Sequence, residues 1–141
     1  APAAICRKVA NVPASGGIIE VWGDGKQTRS FLFIDECIEA TRRLMDSDFQ
    51  GPVNIGSEEM VTIDELVDIT ARVANKVVTK VYDLSAPLGV RGRNSNNDLV
   101  REKLGWDYEQ SLEEGIKKTY GWISWEISKE IYSEENTTTL V

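Results

Sequence analysis

Two runs of the form Ser/Thr-x-x-Glu constrain the fold of this chain more than any other feature. Thr62-Ile63-Asp64-Glu65 and Ser111-Leu112-Glu113-Glu114 each put a hydroxyl at a helix start and a glutamate one turn on. The hydroxyl oxygen accepts from a first-turn N–H while the glutamate reaches back to the capping residue, so both helix starts are fixed locally. The first helix is expected to run to about residue 74, with Leu66, Val67, Thr70 and Val73 inward. The second is long and carries Leu112, Ile116, Thr119, Ile123, Ile127 and Ile131. Ile34, Cys37, Ile38, Thr41, Leu44 and Met45 recur at helical spacing and predict a third amphipathic helix with that face inward. Residues 1–11 read as a helix entered through Pro2, with Ala3, Ile5, Val9 and Ala10 as its apolar side. Residues 98–104 form a short helix stopped by Gly105.

Between the helices lie short β-rich runs at residues 18–22, 28–33, 53–56 and 77–81, with Gly23-Asp24-Gly25 as a tight turn. The sum is a mixed α/β domain with short strands, lacking the long βαβ alternation of a doubly wound sheet. With 141 residues there is room for one domain, taken as residues 1–132, followed by a polar, frayed tail at 133–141.

Charge and composition exclude several functions. Lys and Arg number 16 against 23 Asp and Glu, a net charge of −7, which repels nucleic acid and anionic membranes. No apolar run reaches the roughly 18 residues that a membrane helix needs. Histidine is absent, which removes Ser-His-Asp and Cys-His nucleophile systems and every His-ligated zinc pattern. Cys6 and Cys37 stand far apart without a CxxC and suit a reduced, cytoplasmic chain, where both are expected to be buried thiols. Gly23-Asp24-Gly25 begins like a dinucleotide fingerprint, but position 28 is Thr. No tyrosine is followed by lysine four residues on. The residues therefore offer no catalytic group, no metal site and no cofactor site.

Two loops do gather cations beside glycine. They are Trp22-Gly23-Asp24-Gly25-Lys26-Gln27-Thr28-Arg29-Ser30 and Gly89-Val90-Arg91-Gly92-Arg93-Asn94. Glycine lets backbone approach a ligand, and the arginine fork suits phosphate. Such loops are also common as plain surface turns. Asp35 fits a charge favoured at a helix start, Asn54 closes a turn, and Trp106 and Trp122 are expected in the core.

Taken in order, these loops resemble a family. The run Val21-Trp22-Gly23-Asp24-Gly25-Lys26-Gln27-Thr28-Arg29-Ser30-Phe31-Leu32-Phe33-Ile34-Asp35-Glu36-Cys37 resembles the start of the substrate domain of extended short-chain dehydrogenases acting on nucleotide sugars. Pro52-Val53-Asn54-Ile55-Gly56 and Val61-Thr62-Ile63-Asp64-Glu65-Leu66 follow in the family's order. So do Arg91-Gly92-Arg93-Asn94, Lys103-Leu104-Gly105-Trp106 and Leu112-Glu113-Glu114-Gly115-Ile116. Within the family, Ala1-Pro2-Ala3-Ala4, Cys6-Arg7-Lys8, Trp22, Gly89-Val90-Arg91-Gly92-Arg93-Asn94-Ser95 and Trp122-Ile123 are most similar to an epimerase of GDP-sugars.

The resemblance implies that Lys8, Gln27 and Arg93 contact the GDP part of a substrate, with Arg29 and Arg91 as nearby helpers. It implies a parent reaction of epimerisation at two sugar carbons through transient oxidation by tightly held NAD. The family's NAD fingerprint, its Tyr-xxx-Lys pair and its acid/base cysteine and lysine precede anything matching Ala1. As it stands, the chain is expected to hold no NAD and to be inactive alone, with a Rossmann half as its missing partner. Residues 134–141 do not match the family tail. Alternatives are a relative acting on UDP- or dTDP-sugars, or a free-standing, non-catalytic domain binding a nucleotide sugar or a protein. A bare docking face is expected to make the chain self-associate, through Ile5, Val9 or Phe31-Leu32-Phe33.

Overall fold

A computed structural model describes the backbone of residues 1–138 and the side chains of residues 1–129. Helix α1 (Pro2–Ala10) turns Ile5, Cys6 and Val9 inward. Strand β1 (Gly17–Trp22) alternates as a half-buried strand must, with Ile19 and Val21 inside and Ile18, Glu20 and Trp22 outside. After the glycine turn come β2 (Thr28–Ser30), α2 (Ile34–Met45), β3 (Met60–Thr62) and α3 (Ile63–Ala74). Then follow β4 (Val78–Asp83), β5 (Gly92–Arg93), α4 (Asp98–Leu104) and α5 (Leu112–Thr138).

Strands β1 and β4 pair in parallel. Strands β3, β2 and β5 form a second sheet, antiparallel between β2 and β3 and parallel between β2 and β5. Helices α1, α3 and α5 close over β1. Ile5, Val9, Ile19, Val21, Leu66, Val67, Leu112 and Ile116 make the main core. A smaller cluster of Ala40, Val100 and Trp106 joins α2 to α4. Lys76, just beyond α3, donates from Nζ to the carbonyls of Val9 (3.1 Å), Ala10 (2.7 Å) and Val12 (2.6 Å). That lysine satisfies the open carbonyls at the end of α1 and pins it beside α3.

Both capping boxes form. Thr62 Oγ1 accepts from Glu65 N (3.0 Å) while Glu65 Oε2 accepts from Thr62 N (2.7 Å). Ser111 and Glu114 exchange the same pair of bonds. Gly105 ends α4 at φ 56°, in the left-handed region.

Several expectations are corrected. Residues 53–56 form no strand, because none of the described residues offers a neighbouring strand to pair with them; Val53 and Ile55 pack on the Ala40 cluster instead. The extended stretch at 28–33 keeps ladder pairing only to Ser30. Residues 92–93, read as loop, form β5. Helix α2 buries only Ala40 fully, and Ile34, Ile38 and Met45 lie 59%, 58% and 80% exposed. Trp122, expected in the core, is 64% exposed. Ile5 and Val9 are buried and offer no surface for self-association, and residues 31–33 are half-buried. Cys37 is only half-buried. The α5 backbone continues to Thr138, where a frayed tail was expected; the Ile131 side chain and residues 139–141 lie outside the described residues. No helix among the described residues is long and apolar enough to cross a membrane.

Candidate functional site

The turn after β1 docks on the first turn of α3. Asp64 N donates to Gly25 O (3.0 Å) and Ile63 N to Gln27 O (3.1 Å), so the turn supplies carbonyls to N–H groups that a helix start leaves open. Gly23 and Gly25 sit at φ 78° and 69°. A Cβ on Gly25 would stand 2.2 Å from Asp64 Oδ1, and one on Gly23 would stand 2.1 Å from Leu88 Cδ2. The positive φ favours glycine at both points; at Gly25 the added Cβ would also displace the Asp64 carboxylate, which accepts from Tyr82, whereas at Gly23 the exposed Leu88 side chain can move aside.

This docking opens a cavity of about 560 Å³ between α1, β1 and α3. Lys8, Trp22, Gln27, Arg29, Phe31 and Gly89 are among its lining. Lys8 Nζ donates to Glu20 O (2.7 Å) on the β1 edge. Gln27 is only 9% exposed; its Nε2 donates to Trp22 O at 3.3 Å, while its Oε1 has no partner among the described residues. A buried acceptor left unpaired is costly, so Oε1 calls for a partner, which a bound water or a ligand can supply.

Arg29 lines this cavity and also a second cleft of about 370 Å³. Its guanidinium donates to Thr28 O (2.6 Å) and Val90 O (2.5 Å), which ties β2 to the loop between β4 and β5. The second cleft is lined by Ser30, Asn54, Gly56, Ser57, Arg93 and Ser95 among others. The β2–β5 register places Arg93 beside Arg29. Arg93 is exposed, and its guanidinium has no hydrogen bond or ion pair among the described residues.

The structure thus brings Lys8, Gln27 and Arg29 onto one cavity and Arg29 and Arg93 onto the next. It leaves Arg91 outside both, where its side chain faces solvent and meets Asp24 at 3.5 Å. Lys26 N and then Arg91 hold the Asp24 carboxyl below its ordinary range. Asn54, expected to close a turn, and Ser95, expected only as part of a motif run with no site role, line the second cleft. Their sequence signal was their place in the ordered motifs, beside glycine and arginine.

An ionic cluster stands behind the second cleft. Arg101 donates to Glu58 Oε2 (2.5 Å) and Asp107 Oδ2 (2.7 Å). Arg101 and then the Asn97 N–H hold the Glu58 carboxyl below its ordinary range. Cys6 is fully buried and burial pushes its thiol up to about 11, so it is a neutral core group and no nucleophile. Among the described residues no group of acids and cysteines could hold a metal ion. The glycine turn leads from β1 into another strand, so no helix N-terminus stands there to take a pyrophosphate.

The family model for GDP-mannose 4,6 dehydratase matches residues 2–119. The chain belongs to the GDP-mannose 4,6 dehydratase family. It is 50% identical over 130 residues to GDP-mannose 3,5-epimerase of Arabidopsis thaliana, covering 92% of this chain and 33% of that protein. The ordered motifs therefore pointed to the right family. The fold is that of UDP-glucose 4-epimerase of Thermotoga maritima, solved with UDP-glucose. There the TM-score is 0.79 at 23% identity, over 89% of this chain and 40% of that one. UDP-glucuronic acid 4-epimerase of Bacillus cereus, solved with NAD, matches with a TM-score of 0.67 at 23% identity, over 84% of this chain and 35% of that one. These two likenesses show the fold alone. The chain spans about a third of the length of the curated relatives it matches.

Proposed function

We propose that this chain is the nucleotide-binding portion of an NAD-dependent nucleotide-sugar epimerase resembling GDP-mannose 3,5-epimerase, with a GDP-sugar as its ligand. The observation that carries the reading is the sharing of Arg29 between the two cavities. One ligand can then lie with its nucleoside against Lys8 and Gln27 and its diphosphate toward Arg93. Gln27 Oε1 accepts a ligand N–H or hydroxyl that the protein does not supply. Arg93 meets the diphosphate with an unengaged guanidinium, while Arg29 holds the loop behind it. Arg91 braces the glycine turn through Asp24.

Turnover, in this reading, belongs to a part of the protein that holds NAD, and the present residues bind without catalysing. The bare face of α2 supports that view. Ile34, Ile38 and Met45 form an apolar stripe that the described residues leave open, and residues 53–56 lie beside the same layer without a strand partner. An NAD-binding half is the natural cover for both. Two unpaired cysteines are in keeping with a cytoplasmic protein.

A second reading, a UDP-sugar ligand in the same cleft, draws on the UDP-glucose held by the Thermotoga relative of like fold. Calorimetric titration of the chain with GDP and with UDP separates the two. Tighter GDP binding, weakened about tenfold or more by Arg93→Ala, is the expected result. Tighter UDP binding would favour the second reading, and an Arg93→Ala chain that binds GDP like the parent would remove Arg93 from the site.

A further inference from the structure

We infer that Asn97 is a positioning residue that clips together the two walls of the second cleft and so sets where Arg93 stands. The inference rests on the reading of that cleft as the diphosphate site.

Asn97 occupies the capping position of α4, where asparagine normally accepts from a first-turn N–H. Its side chain makes no such bond. The residue is fully buried, and its amide is spent across the cleft instead. Nδ2 donates to Gly56 O (2.7 Å) on one wall, and Oδ1 accepts from Ser95 Oγ (2.6 Å) on the other. Its backbone N–H donates to Glu58 Oε1 (2.9 Å), on the same wall as Gly56. Arg101 holds that carboxylate in turn, so the clip is backed by an ion pair.

The walls touch at this point. A Cβ on Gly56 would lie 2.6 Å from Ser95 Cβ, so the separation is fixed by contact on one side and by the amide on the other. Arg93 lies on β5, two residues upstream of Ser95; the strand pairs with β2 over two residues, and the bonds that secure the run before it, from Thr28 N to Arg91 O and from Arg29 to Val90 O, both lie on its upstream side. Two residues of strand pairing cannot define the direction of a long side chain. The bond from Ser95 to Asn97 supplies the second anchor. A helix cap would need only an oxygen. The geometry here uses a donor and an acceptor together, which asparagine provides in one small side chain.

The test is a double-mutant cycle in the full chain with GDP as the probe. Asn97→Ala should weaken GDP binding about tenfold, and the Arg93→Ala, Asn97→Ala pair should bind no more than about twofold worse than Arg93→Ala alone. Losses that multiply would mean that Asn97 does not act through Arg93, and would overturn the inference. Ser95→Ala breaks one arm of the clip at a half-buried site and serves if Asn97→Ala fails to fold; its loss should likewise vanish in the Arg93→Ala background. Amide NMR of the free chain reads the clip without ligand. Asn97→Ala should move the Gly56, Arg93 and Ser95 signals and leave those of Lys8 and Gln27 in place. Unmoved Arg93 and Ser95 signals would refute the clip. These shifts on Asn97→Ala, together with a parent chain that binds no GDP, would refute the nucleotide reading and leave the clip standing.

Discussion

Gln27 offers a test in which stability and binding move in opposite directions. Gln27→Met keeps the length of an unbranched side chain and removes both polar atoms. Two terms set the effect on stability. The unpaired Oε1 is buried, and an unsatisfied buried acceptor costs about 1–3 kcal/mol, all of which the substitution relieves. The bond from Nε2 to Trp22 O is long at 3.3 Å, so its loss costs about 0.5–1 kcal/mol. The balance is a gain of about 1 kcal/mol, or about 3 °C in melting temperature for a domain of this size. In the bound state the sign reverses. The ligand loses one neutral hydrogen bond of about 1 kcal/mol, which weakens GDP roughly fivefold. Differential scanning calorimetry of the free chain and titration with GDP read the two effects separately. A melting temperature several degrees lower together with unchanged GDP affinity would show that Gln27 is an ordinary structural amide, and would remove it from the site.

Glu58 makes stability depend on acid. Its folded-state carboxyl lies below the ordinary value of 4.5, chiefly through Arg101, so its contribution is present above that value and is lost as pH falls through the lower folded value. Glu58→Gln should therefore flatten the fall of melting temperature below about pH 4.5, and an unchanged profile would refute the role. Gly25→Ala should cost about 1–3 kcal/mol, from the positive φ and from the Asp64 carboxylate 2.2 Å from the new Cβ. Gly105→Ala has a positive φ but open space, so it should cost about 1 kcal/mol; equal melting temperatures would contradict the steric account. The α2 face should make the chain associate at high concentration. Ile38→Glu should keep it monomeric in light scattering without loss of stability, whereas a parent chain that is monomeric throughout would speak against that face.

What the sequence disclosed about the fold was whatever is decided within a turn or two of chain. Thr62 with Glu65, Ser111 with Glu114 and the Gly105 stop all make their bonds locally, and all three form. Strands β3 and β5 escaped notice because three- and two-residue strands carry no periodicity, and because their partner β2 lies far along the chain. The run at 53–56 has the composition of a strand, but composition cannot supply a neighbour to pair with. In α2 the helical period was right and its destination was not. Spacing says that Ile34, Ile38 and Met45 share a face; it does not say whether this chain or another part of the protein covers it.

The site divides along the same line. Lys8, Gln27 and Arg29 share one cavity, and Arg29 and Arg93 the next, although α1, the glycine turn and β5 are distant in sequence and no spacing rule joins them. Their grouping as one ligand site came from the family resemblance and is part of the proposal. Arg91 shares its loop with Arg93 and would score the same in any count of cations, yet β5 pairing leaves one at the cleft and the other on Asp24. Asn97 is the sharpest case. Its position spells a helix cap, which is reason enough for an asparagine, so nothing in the sequence prompts a second explanation. The side chain nonetheless turns away from the helix and bridges Gly56 and Ser95. A residue whose local role is plausible and unused is therefore a place to look for a long-range one, and here the absent cap bond directs attention to the cleft.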